Sequence, residues 1–169
     1  MKNSTKNLIE EIIELDDCPF TDFEVHGFFI GLTLSSAEQE TKKDKILKFL
    51  DLTEESQPLT DKLINLVDLE LSKNSLEIYP ESDYMLKDNS EIAAALSEWT
   101  YYFLISYQDS SSSSDDLREK EILDIFDEIS QIKQKYQTDD KSSPKDNFSD
   151  INSFIIKSVL YLFHRNSNE

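Results

Sequence analysis

Glycine is so rare in this sequence that it limits the possible folds more than any other feature: only Gly27 and Gly31 occur in 169 residues. Phosphate-binding loops, dinucleotide-binding turns and calcium-binding loops all need glycine where the backbone turns sharply or closely approaches a ligand. The nucleophile elbow of the α/β hydrolases also needs glycines, in the pattern GxSxG. The sequence contains none of these patterns, which excludes the enzyme classes and ligand sites that depend on them.

Apolar residues recur at the three- and four-residue spacing of an amphipathic helix along most of the chain. Predicted helices cover residues 5–16, 22–35, 58–73, 89–107, 116–136 and 149–164, with a further helix starting after a cap at 36–39. The start of the second helix is the best defined, since Thr21-Asp22-Phe23-Glu24 has the pattern of a capping box. We therefore predict an all-α fold, in which residues 1–169 form a single-domain bundle of about six to seven helices.

Several segments are predicted to lie outside these helices. Residues 76–80 alternate apolar and polar side chains up to a proline and are predicted to be extended. The serine-rich segment at about 109–116 and the polar segment at about 137–148 are predicted to be flexible loops. The tail at 165–169 is predicted to be frayed. Neither loop is long enough to separate two domains.

The chain is strongly acidic, with 17 Lys and Arg residues against 35 Asp and Glu residues and a formal net charge of −18. This charge argues against direct binding to nucleic-acid phosphates or to an anionic membrane surface, and it permits a basic protein partner. No apolar run approaches the ~20 residues of a membrane span. The first residues lead into a glutamate-rich amphipathic segment and not into an apolar signal sequence, so we expect a cytoplasmic protein.

Few residues of this chain are suited to catalysis or metal binding. The single cysteine, Cys18, excludes an internal disulfide, and with only two histidines a cysteine-rich zinc site is excluded as well. The acidic runs lack the glycine turn and the convergent spacing of a calcium site. We therefore expect no metal, no cofactor and no enzymatic activity. His26 is expected to be a packing residue, with a partner contact or a catalytic role as the alternatives.

Three stretches of the sequence resemble, in order, motifs of the YgfB/YecA-like family of bacterial proteins. Residues 24–32, EVHGFFIGL, are similar to the family's early HGF-x-x-G-L motif, and residues 95–104, ALSEWTYYFL, are similar to its central acidic-tryptophan motif. Residues 154–162 fall where family members carry a tyrosine-containing terminal helix. The sequence departs from the family at Tyr102 and Ser106, which stand where glycines are expected.

This resemblance implies a fold and a cellular role. The chain has no cysteine-rich metal-binding tail of the kind that longer, YecA-like members carry, so it is similar to the shorter YgfB-like form. That form implies an all-α fold and a cytoplasmic role, and the family offers no established enzymatic activity. The arginine that is usual in the family's terminal helix is replaced here by Ile156.

Gly27 and Gly31 lie four residues apart, so they share one face of the predicted second helix. Each costs a helix about 1 kcal/mol relative to alanine, a cost that is usually offset where another helix approaches closely. Bare backbone allows an approach below the usual ~8–10 Å axial distance. The predicted partner is the fifth helix, through a face made of Ala94, Glu98, Tyr102 and Ser106. A homodimer contact is the competing explanation.

The candidate partner surface consists of motif residues on these two helices: His26, Gly27, Phe28, Gly31, Glu98, Trp99 and Phe103. The main hypothesis is a non-enzymatic regulatory or adaptor protein that binds a protein partner, for which the charge favours a basic surface, through a groove between the two helices. One alternative is a small-molecule-binding or enzymatic domain with a pocket near His26, Glu98 and Tyr101, and another is an acidic mimic of nucleic acid. Burial of His26 favours the adaptor, whereas a deep pocket that contains both His26 and Glu98 favours chemistry.

Overall fold

The computed structural model describes residues 1–79, 88–108, 116–135 and 146–166. These ranges contain seven helices of eleven or more residues and one of four residues, and no β-strand. The helices are α1 Asn3–Leu15, α2 Asp22–Leu34, α3 Gln39–Phe49, α4 Gln57–Ser72, α5 Asn89–Gln108, α6 Leu117–Ser130, α7 Ile132–Lys135 and α8 Asp146–Asn166, with a 3₁₀ turn at Glu54–Ser56. The predicted all-α, single-domain bundle is confirmed. No helix in these ranges is both long enough and apolar enough to cross a lipid bilayer.

Helix α2 begins where the sequence predicts, at the capping box. The Thr21 hydroxyl oxygen accepts a hydrogen bond from the Glu24 amide at 3.3 Å, and the Glu24 carboxylate accepts one from the Thr21 amide at 2.7 Å. From Val25 to the end of the helix every residue except Thr33 is buried. Because α2 contacts α1, α3, α4, α5 and α8, it is a central helix of the bundle.

Helix α5 is the second central helix, and its contact with α2 is the most extensive between any two of the helices described. Trp99, Phe103 and Tyr107 follow one another at four-residue intervals and are all buried. Their rings stack, with centroid distances of 5.4 Å and 5.5 Å. Phe126 of α6 meets Phe103 edge-on at 5.2 Å. Aromatic pairs in these geometries stabilise a core beyond the burial of their area, so this ladder anchors the interior.

The remaining helices cover the central pair from both sides. Helices α1, α3 and α4 pack on α2, and helices α6, α7 and α8 pack on α5. In α1 the buried apolar residues are Leu8, Ile9 and Ile12, which form one stripe of the helix, with Ile13 partly buried beside them. Such a stripe gains most of its stability from packing against the core and little from intrinsic helix propensity.

One predicted helix, 116–136, is interrupted in the structure. Helix α6 ends at Ser130, and a new turn begins at α7. The cause lies in α5: the Ser97 hydroxyl donates a hydrogen bond to the Ser130 carbonyl oxygen. The Gln134 amide, which would bond to that carbonyl in a continuous helix, bonds to the Gln131 carbonyl at 3.2 Å instead. A contact from another helix therefore breaks a segment that is helical by its own pattern.

Parts of both predicted loops are ordered. The segment predicted as a loop at 137–148 overlaps α8, which begins at Asp146, and Phe148 is fully buried. In the predicted loop at 109–116, the side chain of Asp116 caps α6 by accepting a hydrogen bond from the first turn at 2.9 Å. The other residues of both segments lie outside the described ranges. The prediction of a loop up to 148 was wrong for residues 146–148, where α8 begins and Phe148 is buried, whereas Asp116 lies outside α6, at its N-cap.

The predicted frayed tail at 165–169 is also partly helical. Arg165 and Asn166 belong to α8, and the rest of the tail lies outside the described residues. The Arg165 guanidinium donates a hydrogen bond to the Glu119 carboxylate at 2.5 Å, and the Asn166 amide donates one to the Leu34 carbonyl oxygen at 2.7 Å. These contacts with α6 and α2 hold the last turn in place, so the prediction of fraying was wrong for its first two residues.

The segment before the first undescribed range is non-helical, as predicted. Leu76 and Ile78 are buried and Glu77 is exposed, as expected of an extended backbone, but the chain bends at Ile78 and Tyr79, where two consecutive side chains are buried. The Tyr79 carbonyl oxygen accepts a hydrogen bond from the Asn152 amide of α8 at 3.1 Å. Pro80 itself lies outside the described residues.

Candidate functional site

His26 lies inside the bundle, between α2 and α5. Its side chain is fully buried, and Nδ1 accepts a hydrogen bond from the Trp99 indole Nε1 at 3.0 Å. Burial lowers the pKa of His26 to about 3, with a further contribution from the positive amino group of Met1. Since Nδ1 accepts a hydrogen bond in the neutral ring, the proton resides on Nε2. That nitrogen has no hydrogen-bond partner in the part of the chain that the structure describes.

The two glycines mark the place where α2 touches the backbone of α5. A Cβ atom added at Gly27 would overlap the Trp99 carbonyl oxygen and would lie 3.0 Å from its carbonyl carbon. One added at Gly31 would overlap the Phe103 carbonyl oxygen and the Ser106 hydroxyl. Side chains at these positions would force the helices apart. The glycine face is therefore occupied by α5 within the chain and is not free for a second copy.

The predicted α2–α5 pairing is confirmed, but three of the four α5 residues that were predicted to face the glycines do not lie against them. Ser106 lies at the glycine face as predicted. Glu98 and Tyr102 lie at the edge of the interface and are partly exposed, and Trp99 and Phe103 take their places against the glycines. Ala94 is not among the nearest neighbours of either glycine. The face rotates because the large aromatic rings bury more apolar area inside the bundle than a face containing Glu98 would.

The candidate partner surface predicted from the motifs is closed. Six of its seven residues are buried: His26, Gly27, Phe28, Gly31, Trp99 and Phe103. The seventh, Glu98, keeps 24% of its side chain exposed. The prediction of a groove was wrong because the glycines let the helices approach until no space remains between them. Six of these seven residues belong to the core, and Glu98 is the one that reaches the surface.

A cavity of about 330 Å³ lies beside Glu98, on the outer side of α5. It forms where the first turn of α2, the middle of α5 and the α6–α7 junction meet. We name it the Tyr101 cavity, and its main side chains are Glu24, Glu98, Tyr101, Tyr102, Asp127 and Lys133. The predicted pocket near Glu98 and Tyr101 therefore exists, but His26 does not line it.

Two tyrosines form the aromatic wall of the Tyr101 cavity. Their rings are nearly perpendicular, at 86° with centroids 5.3 Å apart. Tyr102 is wedged against Phe20 and Phe49, with ring centroids 5.6 Å from each. Tyr101 is 50% exposed. One ring is thus fixed by the core, and the other offers a face to a ligand.

The carboxylates give the Tyr101 cavity a negative character. Glu98 accepts a hydrogen bond from the Thr21 hydroxyl at 3.4 Å and lies 3.8 Å from the Lys133 ammonium. Burial, together with the nearby Glu24 carboxylate, raises the pKa of Glu98. Burial and Glu24 also raise the pKa of Tyr102 to about 12, so its hydroxyl remains protonated. Three carboxylates, including that of Asp127, face one lysine across this cavity.

Sequence reasoning could not find most of this cavity. Asp127 and Lys133 belong to it only because α6 breaks at the Ser97 contact, and that break depends on a helix more than thirty residues away along the chain. For Tyr102 the sequence contains a weak indication of a surface role, because a bulky residue stands where the resembled family has a glycine. For Tyr101 the indication is clearer, because by helical spacing its side chain points away from the aromatic ladder.

A second, smaller cavity of about 30 Å³ lies between α2, α3 and α4. Its half-buried Lys42 donates a hydrogen bond to the Thr33 carbonyl oxygen at 2.8 Å. Such a volume holds about one water molecule, so it is not a ligand site. In the described ranges, no three or more His, Cys, Asp or Glu side chains are grouped so that they could hold a metal ion.

Comparison with known proteins identifies no relative: no protein-family model, curated protein or solved structure matches this chain.

Proposed function

We propose that this protein is a non-enzymatic regulatory or adaptor protein that binds another protein through the Tyr101 cavity. The observation that carries the proposal is the Tyr101 ring, which is half exposed while it lines a cavity of about 330 Å³. Tyrosine is enriched in protein interfaces because a large apolar ring and a hydroxyl occupy one rigid side chain. Such a residue beside a concave surface is a typical anchor point for a partner.

The charge of the chain supports a basic partner. A net charge of −18 attracts basic proteins over a distance and accelerates their association. The excess of carboxylates over lysine in the Tyr101 cavity has the same sign as the whole chain. Attraction by the whole surface and complementarity at the cavity therefore favour the same class of partner.

Membership of the YgfB-like family is part of this proposal. It is supported by the two motifs of the sequence, whose specific residues pack against each other. The histidine of the first motif and the tryptophan of the second share a hydrogen bond, and both motif glycines contact the helix that carries the second motif. Contact between the two motifs in the core supports a shared structural role for them.

Site-specific photocrosslinking in the native host tests the adaptor proposal. A benzophenone amino acid replaces Tyr101, and a matched control places it at Leu69 on α4, which is exposed to a similar extent (46%). We expect one discrete adduct with a basic protein from position 101 and none from position 69, and less adduct at high salt because charge screening weakens the encounter.

The same experiment can refute the proposal. Equal adducts from both positions would indicate random collision, and the absence of an adduct from position 101 would contradict binding at the cavity. An adduct of twice the mass of the chain would show that the partner is a second copy of this protein and not a different protein.

A second candidate function is binding of a small cationic molecule. The observation that favours it is the cavity volume, which lies at the lower end of the ~300–1,000 Å³ range of small-molecule pockets. Native mass spectrometry of the protein purified from its host distinguishes the two functions. A retained small molecule that is lost in a Tyr101→Ala variant would favour this candidate over the adaptor.

A further inference from the structure

The floor of the Tyr101 cavity is the carboxyl end of a helix without a cation. Helix α6 ends beside the cavity at Ser130, and its last turn contains no basic residue. The carbonyl groups at a helix C-terminus carry a partial negative charge, which is reduced at α6 because its last carbonyl oxygens accept hydrogen bonds from Ser97, Ser130 and Gln131. Asp127 adds a full negative charge within the same turn. The floor therefore attracts a cation, and Lys133, which lines the same cavity, pairs with Glu98 on the opposite wall.

Two carboxylates, those of Glu24 and Glu98, lie on the opposite wall of the cavity. Glu24 is held firmly, whereas Glu98 has only weak partners. Glu24 is fixed by the capping box, where its carboxylate accepts a hydrogen bond from the Thr21 amide. Glu98 has a long hydrogen bond of 3.4 Å and an ion pair of 3.8 Å with Lys133, which is 44% exposed. An exposed ion pair of this length is weak and easily exchanged. Glu98 can therefore accept a stronger donor.

The aromatic wall decides between the two basic side chains. A guanidinium group is planar, stacks on an aromatic face, and presents several N–H donors in a fixed plane. A lysine ammonium is a compact and strongly hydrated charge, which gains less from a flat ring. Tyr101 offers such a ring next to carboxylate acceptors, so the cavity suits a guanidinium group better than an ammonium group.

From this arrangement, and on the basis of the proposed adaptor function, we infer that the Tyr101 cavity receives an arginine side chain of the partner protein. The guanidinium group stacks on Tyr101 and pairs with the carboxylates of Glu98 and Asp127. This goes beyond attraction between a basic protein and an acidic one, because it assigns one side-chain type to one cavity.

Fluorescence anisotropy with labelled hexaarginine and hexalysine peptides tests the inference. The test variant combines Tyr101→Ala with Asp127→Asn. The control variant combines Leu117→Ala with Asp124→Asn, which removes an exposed apolar side chain and an exposed carboxylate of α6 outside the cavity. Both variants lose one negative charge, so they change the overall attraction equally. Thermal unfolding checks that each variant is folded.

We expect hexaarginine to bind the unmodified protein more tightly than hexalysine at the same ionic strength. The test variant is expected to weaken hexaarginine binding about tenfold, since it removes both a stacking contact and a charge contact. The control variant is expected to weaken it less than about twofold. Chemical-shift changes on adding methylguanidinium should fall on the residues that line the cavity.

Two results would overturn the assignment. Equal weakening by the test and control variants would mean that the peptides respond only to the overall charge. Equal affinity for hexalysine and hexaarginine would mean that the cavity does not select a guanidinium group. If the Tyr101 photocrosslink forms but the substitutions in the cavity do not change the affinity for hexaarginine, the adaptor proposal stands and the arginine assignment fails. If methylguanidinium binds but no partner crosslinks, the adaptor proposal fails.

Discussion

The buried His26 predicts a specific dependence of stability on pH. The folded protein holds the His26 ring neutral, because burial lowers its pKa to about 3 from an ordinary value of 6.5. The unfolded chain, where the ring is solvated, binds a proton below pH 6.5. Since the unfolded state binds more protons than the folded state, stability decreases as the pH falls from 6.5 toward 3.

The size of this effect follows from the two pKa values. Each pH unit below 6.5 costs about 1.4 kcal/mol of unfolding free energy while the folded ring remains neutral. Lowering the pH from 7.5 to 5 should therefore remove about 2 kcal/mol through His26 alone. For a domain of this size that is a large fraction of a total stability of about 5–15 kcal/mol.

A His26→Asn variant isolates the contribution of the histidine. Asparagine does not titrate, and its carbonyl oxygen can accept the hydrogen bond from the Trp99 indole that Nδ1 accepts in the unmodified protein. Unfolding in urea is measured for both proteins between pH 7.5 and pH 5. Carboxylates common to both chains cancel in the difference between the two unfolding free energies.

We expect the stability advantage of the unmodified protein over His26→Asn to shrink by about 2 kcal/mol across this pH range. An advantage that changes by less than about 0.5 kcal/mol would refute the reasoning, because it would mean that the folded state accommodates a protonated ring. A ring protonated in the folded state would in turn require water or a carboxylate at Nε2, where the described residues provide no partner.

Three further substitutions test the packing and the buried charges by urea unfolding. Gly27→Leu should cost more than about 2 kcal/mol by forcing α2 away from α5, and a cost below about 0.5 kcal/mol would exclude close helix contact. Arg165→Met should lower the free energy of unfolding by about 2–4 kcal/mol, since it leaves the buried Glu119 carboxylate without its cation. Adding Glu119→Gln should recover most of this loss, and no recovery would contradict an ion-pair effect. Burial raises the pKa of Glu70, so the carboxyl contributes most stability at low pH and loses it as the pH rises through its folded value. Relative to the unmodified protein, Glu70→Gln should thus gain stability as the pH rises from 4.5 to 7.5, and a difference between the two proteins that does not change with pH would contradict a titration effect.

Much of the fold could be predicted from local patterns. The helical spacing of apolar residues and the capping box at Thr21 gave the position of α2 to within one residue, because these signals act within a single turn. The helix break at Ser130 and the ordered Arg165 could not be predicted. Each depends on a partner distant in sequence, the Ser97 hydroxyl in one case and the Glu119 carboxylate in the other.

The candidate site was harder to predict than the fold, for a physical reason. Helix α2 is apolar around almost its whole circumference, so its sequence does not reveal which residues face outward. His26 was therefore included in the candidate partner surface, although packing was its expected role, and the structure buries it. Glu98 was predicted to face the glycines, but it lies at the edge of the interface, partly exposed, because a carboxylate is rarely buried without a partner.

The neighbouring residues Glu98 and Trp99 connect the core to the Tyr101 cavity. Trp99 points inward to His26, whereas Glu98 points outward to the cavity, so the packing of α5 on the glycine face also sets the position of the outer wall. Tyr102 is wedged between aromatic rings of the core, and the floor is held by the Ser97 hydrogen bond. Ordering a long side chain on binding costs about 0.5–1.5 kcal/mol, and most of these groups are already ordered. The close helix contact that the two glycines allow therefore has a second consequence, since it fixes the inner wall of a cavity whose exposed side chains, such as Tyr101, Asp127 and Lys133, are ordered when a partner binds.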